Sequence, residues 1–168
     1  MPSAANFSTR DLTRLSLLLA LAIVLRLIEN MFPVLFSLPG AHLGLANIMT
    51  IVVLVKYGTD KAGMFLLARI LLVGLLSTGL GSSGFFIGLG GAASSFAFMS
   101  IFSERKLLSP IGLGLLGAAM HNCGQIAVAV HLMQNMAIAN FLPMLISIGI
   151  PTGFFTGLCA KAILKRMD

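Results

Sequence analysis

The stretch PIGLGLLGAAMHNCGQIAVAVHLMQ, residues 110–134, decides how this chain folds. It contains no Asp, Glu, Lys or Arg, and it exceeds the roughly 20 apolar residues that an α-helix needs to cross a bilayer. Ser109-Pro110 suits its entry, because a proline at the first helical position gives up only an N–H that has no partner there. Outward from this stretch, comparable apolar runs occupy 12–32, 42–57, 62–80, 84–102 and 138–164. The pattern predicts an all-α polytopic membrane protein with six transmembrane helices, forming one integral membrane domain over 1–168. The second run is short, and its outer end can begin in the preceding loop.

Composition points the same way. Of 168 residues, 58% are hydrophobic and 10% charged, and the mean hydropathy is +1.02. A soluble domain carries about 25% charged residues, so a soluble enzyme or a disordered tail does not fit. The 11 Lys+Arg exceed the 5 Asp+Glu, but the basic residues are dispersed between apolar segments and form no patch. Nucleic acid is therefore not an expected partner. Cys123 and Cys159 both lie in apolar stretches and read as buried thiols rather than a disulfide or metal pair. Trp is absent and Tyr occurs once, so the 12 Phe would have to supply much of any interfacial aromatic belt.

Charge placement sets the orientation. Arg10 and Arg14 precede the first helix, and Lys56 and Lys61 flank the loop after the second. Arg105 and Lys106 follow the fourth, and Lys161, Lys165 and Arg166 end the sixth. With six spans these residues share one side, and the loops near 33–41, 80–83 and 134–139 on the other side carry no fixed charge. The positive-inside rule then predicts cytoplasmic N- and C-termini in the cytoplasmic (inner) membrane. Arg10, Arg14 and the run from Leu15 to Leu25 resemble a signal peptide, but no small-residue cleavage site follows, and a retained helix is expected. Pro33, Pro39-Gly40 and Tyr57-Gly58-Thr59-Asp60 mark turns, Pro143 suits the first turn of helix 6, and Pro151 is expected to kink that helix.

Polar residues within the apolar runs are the candidate functional groups. Arg26, Glu29 and Asn30 share a face of helix 1, and Arg69 lies deep in helix 3. A charge at the bilayer centre costs about 2.5–3.5 kcal/mol on insertion scales, so these residues face the protein interior, a partner or a water-filled cavity. Two readings are open. Arg26 and Glu29 can form a structural pair while Arg69 donates to backbone carbonyls. Alternatively, two arginines against one glutamate leave a positive charge that an anionic ligand would neutralise. Helix 5 carries His121, Asn122 and Gln125 among small residues, His121 and Gln125 sharing a face with Gly114, Gly117 and Ala118. Asn47 puts an amide in the outer half of helix 2. These groups are open to a structural role in interhelical hydrogen bonding and to ligand binding in an outward-facing cavity. His131, Gln134 and Asn135 read as interfacial.

Helix 6 contains overlapping GxxxG patterns at Gly149, Gly153 and Gly157, which suit close helix packing within the chain or docking of another subunit. The glycine runs at 79–84 and 88–95 lack the lysine and the strand-to-helix setting of a phosphate loop. No catalytic residue is expected: Cys123 is two residues from His121 and points to another helix face, and no two acids are close enough to hold Mg²⁺ on a diphosphate. Three separated histidines predict no metal site, and no cofactor is expected on this chain.

The segments PGAHLGLANIMTIVVLVKYG (39–58) and GAAMHNCGQIAVAV (117–130), together with Arg26, Glu29, Arg69 and the glycine-rich helix 6, resemble the Gx transporter family, also labelled heptaprenyl diphosphate synthase component I. That family looks like the substrate-binding S components of energy-coupling factor (ECF) transporters. The resemblance implies a six-helix S-component-like bundle that captures a small vitamin-like, isoprenoid or anionic solute. It also implies docking on a transmembrane coupling subunit with two ATPases, so that ATP hydrolysis would take place in partner subunits. S components commonly carry an alanine pair at four-residue spacing in helix 1; the nearest match is Ser16–Ala20, a departure at the docking face. The synthase label implies another role, as a non-catalytic membrane subunit holding a soluble prenyl synthase. Relatives' association with membrane redox systems would make the partner a flavoprotein instead.

The first expectation is thus a binding and transport subunit for a small anionic or amphipathic solute, using Arg26, Glu29, Asn47, Arg69, His121, Asn122 and Gln125. The alternative, an anchor, has no need of Arg69 and the 121–125 cluster within the membrane.

Overall fold

A computed structural model describes residues 8–31 and 44–167. The predicted loop turns at Pro33 and Pro39-Gly40, and the Asn30 side chain, lie outside the described residues. Six α-helices follow one another: α1 (Thr9–Met31), α2 (Leu45–Tyr57), α3 (Thr59–Val73), α4 (Ser83–Glu104), α5 (Pro110–Met133) and α6 (Leu142–Met167). A π-turn at Gly74–Thr78 extends α3, and a 3-10 turn at Met136–Phe141 leads into α6.

The chain's own punctuation sets these ends. Gly58, at φ 84°, joins α2 directly to α3, and its N–H bonds to Leu54 O at 3.1 Å. A side chain would be strained at that φ. Ser82 Oγ accepts from Phe85 N at 3.1 Å and caps α4. Ser109 Oγ accepts from Gly112 N at 3.3 Å and caps α5, with Pro110 in the first turn. Gln134 and Asn135 cap the turn after α5, as befits residues at its end.

Among the described residues, three segments are long and apolar enough to cross a membrane: Ser83–Glu104, Pro110–Met133 and Met136–Met167. The sequence predicts six spanning helices, the second of them short; the three helices of the first half fall short of that criterion, for identifiable reasons. The 23-residue α1 is long enough, but Arg10, Asp11, Arg14, Arg26 and Glu29 interrupt its apolar surface. At 13 residues, α2 is only about 20 Å long. It is also the central helix, packed against α1, α3 and α6. Ile51, Val52 and Val53 have no exposed surface. A helix that is apolar all round and wrapped by neighbours is a core element.

The core lies towards the basic end of the bundle, where Leu15, Ile51–Leu54, Phe65, Met99, Leu113 and Leu164 pack together. Lys56 Nζ donates to Met167 O at 2.8 Å, and Lys61 Nζ bonds to Asp11 Oδ2 at 2.8 Å. These contacts bring the start of α1, the α2–α3 junction and the end of α6 to one end. These are three of the four basic segments that the sequence places on one side.

In the second half, glycines let α5 lie close to both neighbours. A β-carbon on Gly114 would strike Gly153 O, and one on Gly153 would lie 2.7 Å from Gly114 O. One on Gly157 would lie 2.6 Å from Ile111 Cα. Gly149, Gly153 and Gly157 are therefore engaged inside the chain, against α5. On the other side of α5, a β-carbon on Gly124 would strike Gly90 O. Such contacts need backbones close together, which glycine permits.

Candidate functional site

At the end of the bundle opposite the basic residues, the helices part around a cavity of about 140 Å³. Arg26 and Glu29 reach it from the last turns of α1, Asn47 from the first turn of α2, and Arg69 from α3. His121 and Asn122 reach it from α5, and Thr152 and Thr156 from α6. Ile70, Val73, Phe85, Leu89, Leu145 and Ile148 supply an apolar wall.

The charges are arranged in a definite order. Glu29 is buried, with its side chain 4% exposed. Its Oε1 accepts from Gly44 N at 2.6 Å, and its Oε2 pairs with Arg26 Nη1 at 3.3 Å. An anion at the start of α2 is favourable because unpaired N–H groups and the helix dipole meet there. Glu29 therefore answers both the α2 terminus and Arg26.

Arg69 is held by one nitrogen. Its Nη1 donates to Ala46 O and to Thr50 Oγ1, each at 2.8 Å. Among the described residues no hydrogen bond engages Nη2 or Nε. A guanidinium with one nitrogen anchored and an open edge matches the two oxygens of a carboxylate or phosphate. Asn47 also has no side-chain hydrogen bond among the described residues. The sum of Arg26, Arg69 and Glu29 is one positive charge facing the cavity.

The other polar groups divide. Asn122 Nδ2 donates to Leu145 O at 2.8 Å, tying α5 to α6. A β-carbon on Gly149 would lie 2.8 Å from that nitrogen, so glycine makes room for the bond. Thr152 Oγ1 donates to Ile148 O and Gly149 O, at 3.2 and 3.1 Å, and Thr156 Oγ1 donates to Gly153 O at 3.0 Å. Their hydroxyl hydrogens are engaged, but their oxygens still have lone pairs.

Helical spacing groups Gln125 with these residues, yet it lies outside the cavity. It is buried between α4 and α5, its Cγ 2.6 Å from where a β-carbon on Gly91 would stand. Its Oε1 has no hydrogen-bond partner among the described residues. His121 Cε1 lies 2.9 Å from the same β-carbon position, so both side chains sit at the Gly91 notch and only His121 also reaches the cavity. Ser16 and Ala20 are exposed on α1. Sequence reasoning missed Thr50, Thr152, Thr156 and the wall residues Gly84, Phe85 and Gly88. The threonines had a signal in their placement beside the glycines of helix 6. Thr50 had none beyond its helical spacing from Asn47.

Cys123 and Cys159 are free and partly buried. Among the described residues no three His, Cys, Asp or Glu side chains come together in a metal-like group.

The fold and site define an all-helical chain of membrane-protein character with a charged cavity between its helices. The chain belongs to the heptaprenyl diphosphate synthase component I family, whose model matches residues 18–163. That is the family its motifs resemble. No curated protein matches the chain, and no solved structure does.

Proposed function

We propose that this protein is the membrane-embedded binding subunit of a transport system, similar to an ECF S component, and takes a small anionic solute. The observation that carries the reading is Arg69: a guanidinium within the bundle, anchored through Nη1 alone, lining a cavity with a surplus positive charge. Such a charge is costly unless neutralised. Arg69 would grip the anion, Arg26 and Glu29 would set the local charge, and Asn47, His121 and Asn122 would add polar contacts. Gln125 would act only indirectly, through the α4–α5 contact. In this reading all six helices span the inner membrane, with both termini cytoplasmic and the cavity facing outward. The chain itself would be non-catalytic and hold no cofactor, and partner subunits would supply ATP hydrolysis and a coupling protein.

The family's description favours a second reading. A component I of a heptaprenyl diphosphate synthase would be a non-catalytic membrane subunit beside a soluble prenyl synthase. The buried charges favour a binding role over a pure anchor, because an anchor gains nothing from them.

Purification from the native membrane in mild detergent, with co-purifying proteins identified by mass spectrometry, separates the two. A coupling protein with ATPases is the expected result. A prenyl synthase or a flavoprotein without an ATPase would overturn it.

A further inference from the structure

The cavity has an unusual side wall where α3 faces α4. These helices approach each other far less than α4 and α5 do. Two matching contacts hold them. The Phe96 ring lies over Gly63, 3.5 Å from where a β-carbon would stand, and the Phe85 ring lies over Gly74, at 2.7 Å. In both cases a phenylalanine of α4 fills the space above a glycine of α3 or of the π-turn that extends it. The two contacts share one antiparallel register and stand about 16 Å apart along the helices, at 1.5 Å per residue.

Between these struts the register sets Ile70 opposite Leu89, and both line the cavity. Gly88 also lines it, and a β-carbon there would meet nothing within 4 Å. One on Gly84 would meet only Ser82 Oγ, at 3.9 Å. On the outer surface of α3, Leu67 and Leu71 are 57% and 46% exposed, which suits a lipid-facing surface. The polar end of the cavity is at Arg69 and Arg26, and its apolar end is this gap. The enclosed volume of about 140 Å³ is comparable to a cavity that holds benzene, so it fits a small head group and not a long molecule.

Building on the anion-binding reading above, we infer that the ligand is amphipathic, with a compact carboxylate or phosphate head on Arg69 and an apolar tail that leaves the cavity sideways between α3 and α4. The gap between the two phenylalanine struts is the passage for that tail, and Gly88, which lies between them, keeps it open. Ile70, Leu89 and Phe85 would contact the tail.

The test uses the full chain in phosphatidylcholine nanodiscs, with inorganic phosphate, butyl phosphate and octyl phosphate as probes. The readout is the concentration giving half-maximal thermal protection. For the wild type it should fall along the series, about fourfold for each methylene seated in the passage. Gly88→Leu, or Ile70→Phe from the opposite wall, should remove at least a tenfold part of the octyl advantage, taken within each variant as the ratio of its responses to octyl phosphate and inorganic phosphate. Partitioning of the alkyl chain into the discs is the same for each variant and cancels. Discs doped with phosphatidylglycerol identify the source: a resident anionic lipid as ligand would suppress the response to added octyl phosphate, whereas a soluble amphiphile's site would still respond. If octyl phosphate protects the wild type and both variants equally, the passage is wrong and the anion site stands. If no probe protects the wild type, the anion-binding reading falls with it. Loss of folding in both variants would show that the gap is filled space, and would also overturn the passage.

Discussion

Two pairs of glycines on α4 differ in what surrounds them. Gly90 and Gly91 are filled: a β-carbon on the first would strike Val128, and one on the second would lie 2.9 Å from His121 O. Gly84 and Gly88, on the cavity side, face open space. The first pair lets backbones meet, and the second leaves space unfilled. A glycine-rich membrane helix is therefore not one kind of surface. The same residue serves packing on one face and a cavity on another, and the neighbouring helix decides which.

This contrast can be broken by substitution. The largest effect is expected at Gly114, where any side chain collides with the α6 backbone. Gly114→Leu should cost at least about 3 kcal/mol and leave little folded protein in a detergent-solubilised thermal melt. A near-normal melt would mean that α5 and α6 are not held together as described. Next comes Arg69→Ala, which removes the ligand edge along with the bonds to Ala46 and Thr50. Affinity for an anionic probe should fall about 100-fold, given about 1.5–3 kcal/mol for a hydrogen bond to a charged group. Retained affinity would exclude Arg69 from the site. Glu29→Gln should have a smaller effect of opposite sign. With the carboxylate gone the cavity gains a positive charge, and a dianion such as phosphate should bind roughly fivefold tighter. Titration of wild type and variant side by side reads the sign directly.

The smallest effects sharpen the comparison most. Gly91→Ala should lower stability, because its β-carbon meets Gln125 Cγ at 2.6 Å. Gly88→Ala should raise it by about 0.5 kcal/mol, since alanine is the better helix former and meets nothing there. Opposite signs three residues apart, read from paired thermal melts, would be hard to explain by helix propensity alone. Equal signs would remove the distinction between the two faces.

Much of this arrangement could be read from residue type. Charges in apolar runs had to face inward, and Arg26, Glu29, Asn47, Arg69, His121 and Asn122 do line one cavity. Polarity within an apolar helix is a strong constraint, so the residues that break the pattern mark the interior. Gln125 shows the limit. By periodicity it belongs with His121, and both side chains do lie at the notch of Gly91 on α4, yet one turn along α5 only His121 also lines the cavity. The double use of glycine was equally hidden, because the spacing of Gly84 and Gly88 is that of the packed Gly149 and Gly153. What separates them is the tertiary partner, and one helix's sequence does not contain it. The short α2 was visible as a short apolar run, but its place at the bundle centre depends on the helices that wrap it.

The most direct measurement compares octyl phosphate with octylammonium as stabilisers of the wild-type protein and Arg69→Gln in neutral nanodiscs. The two probes share a tail and differ in the sign of the head. If the cavity is built for an anion, octyl phosphate should raise the melting temperature of the wild type by several degrees, octylammonium should not, and Arg69→Gln should abolish the difference. Equal protection by both heads, or an anion preference that survives the loss of Arg69, would contradict it.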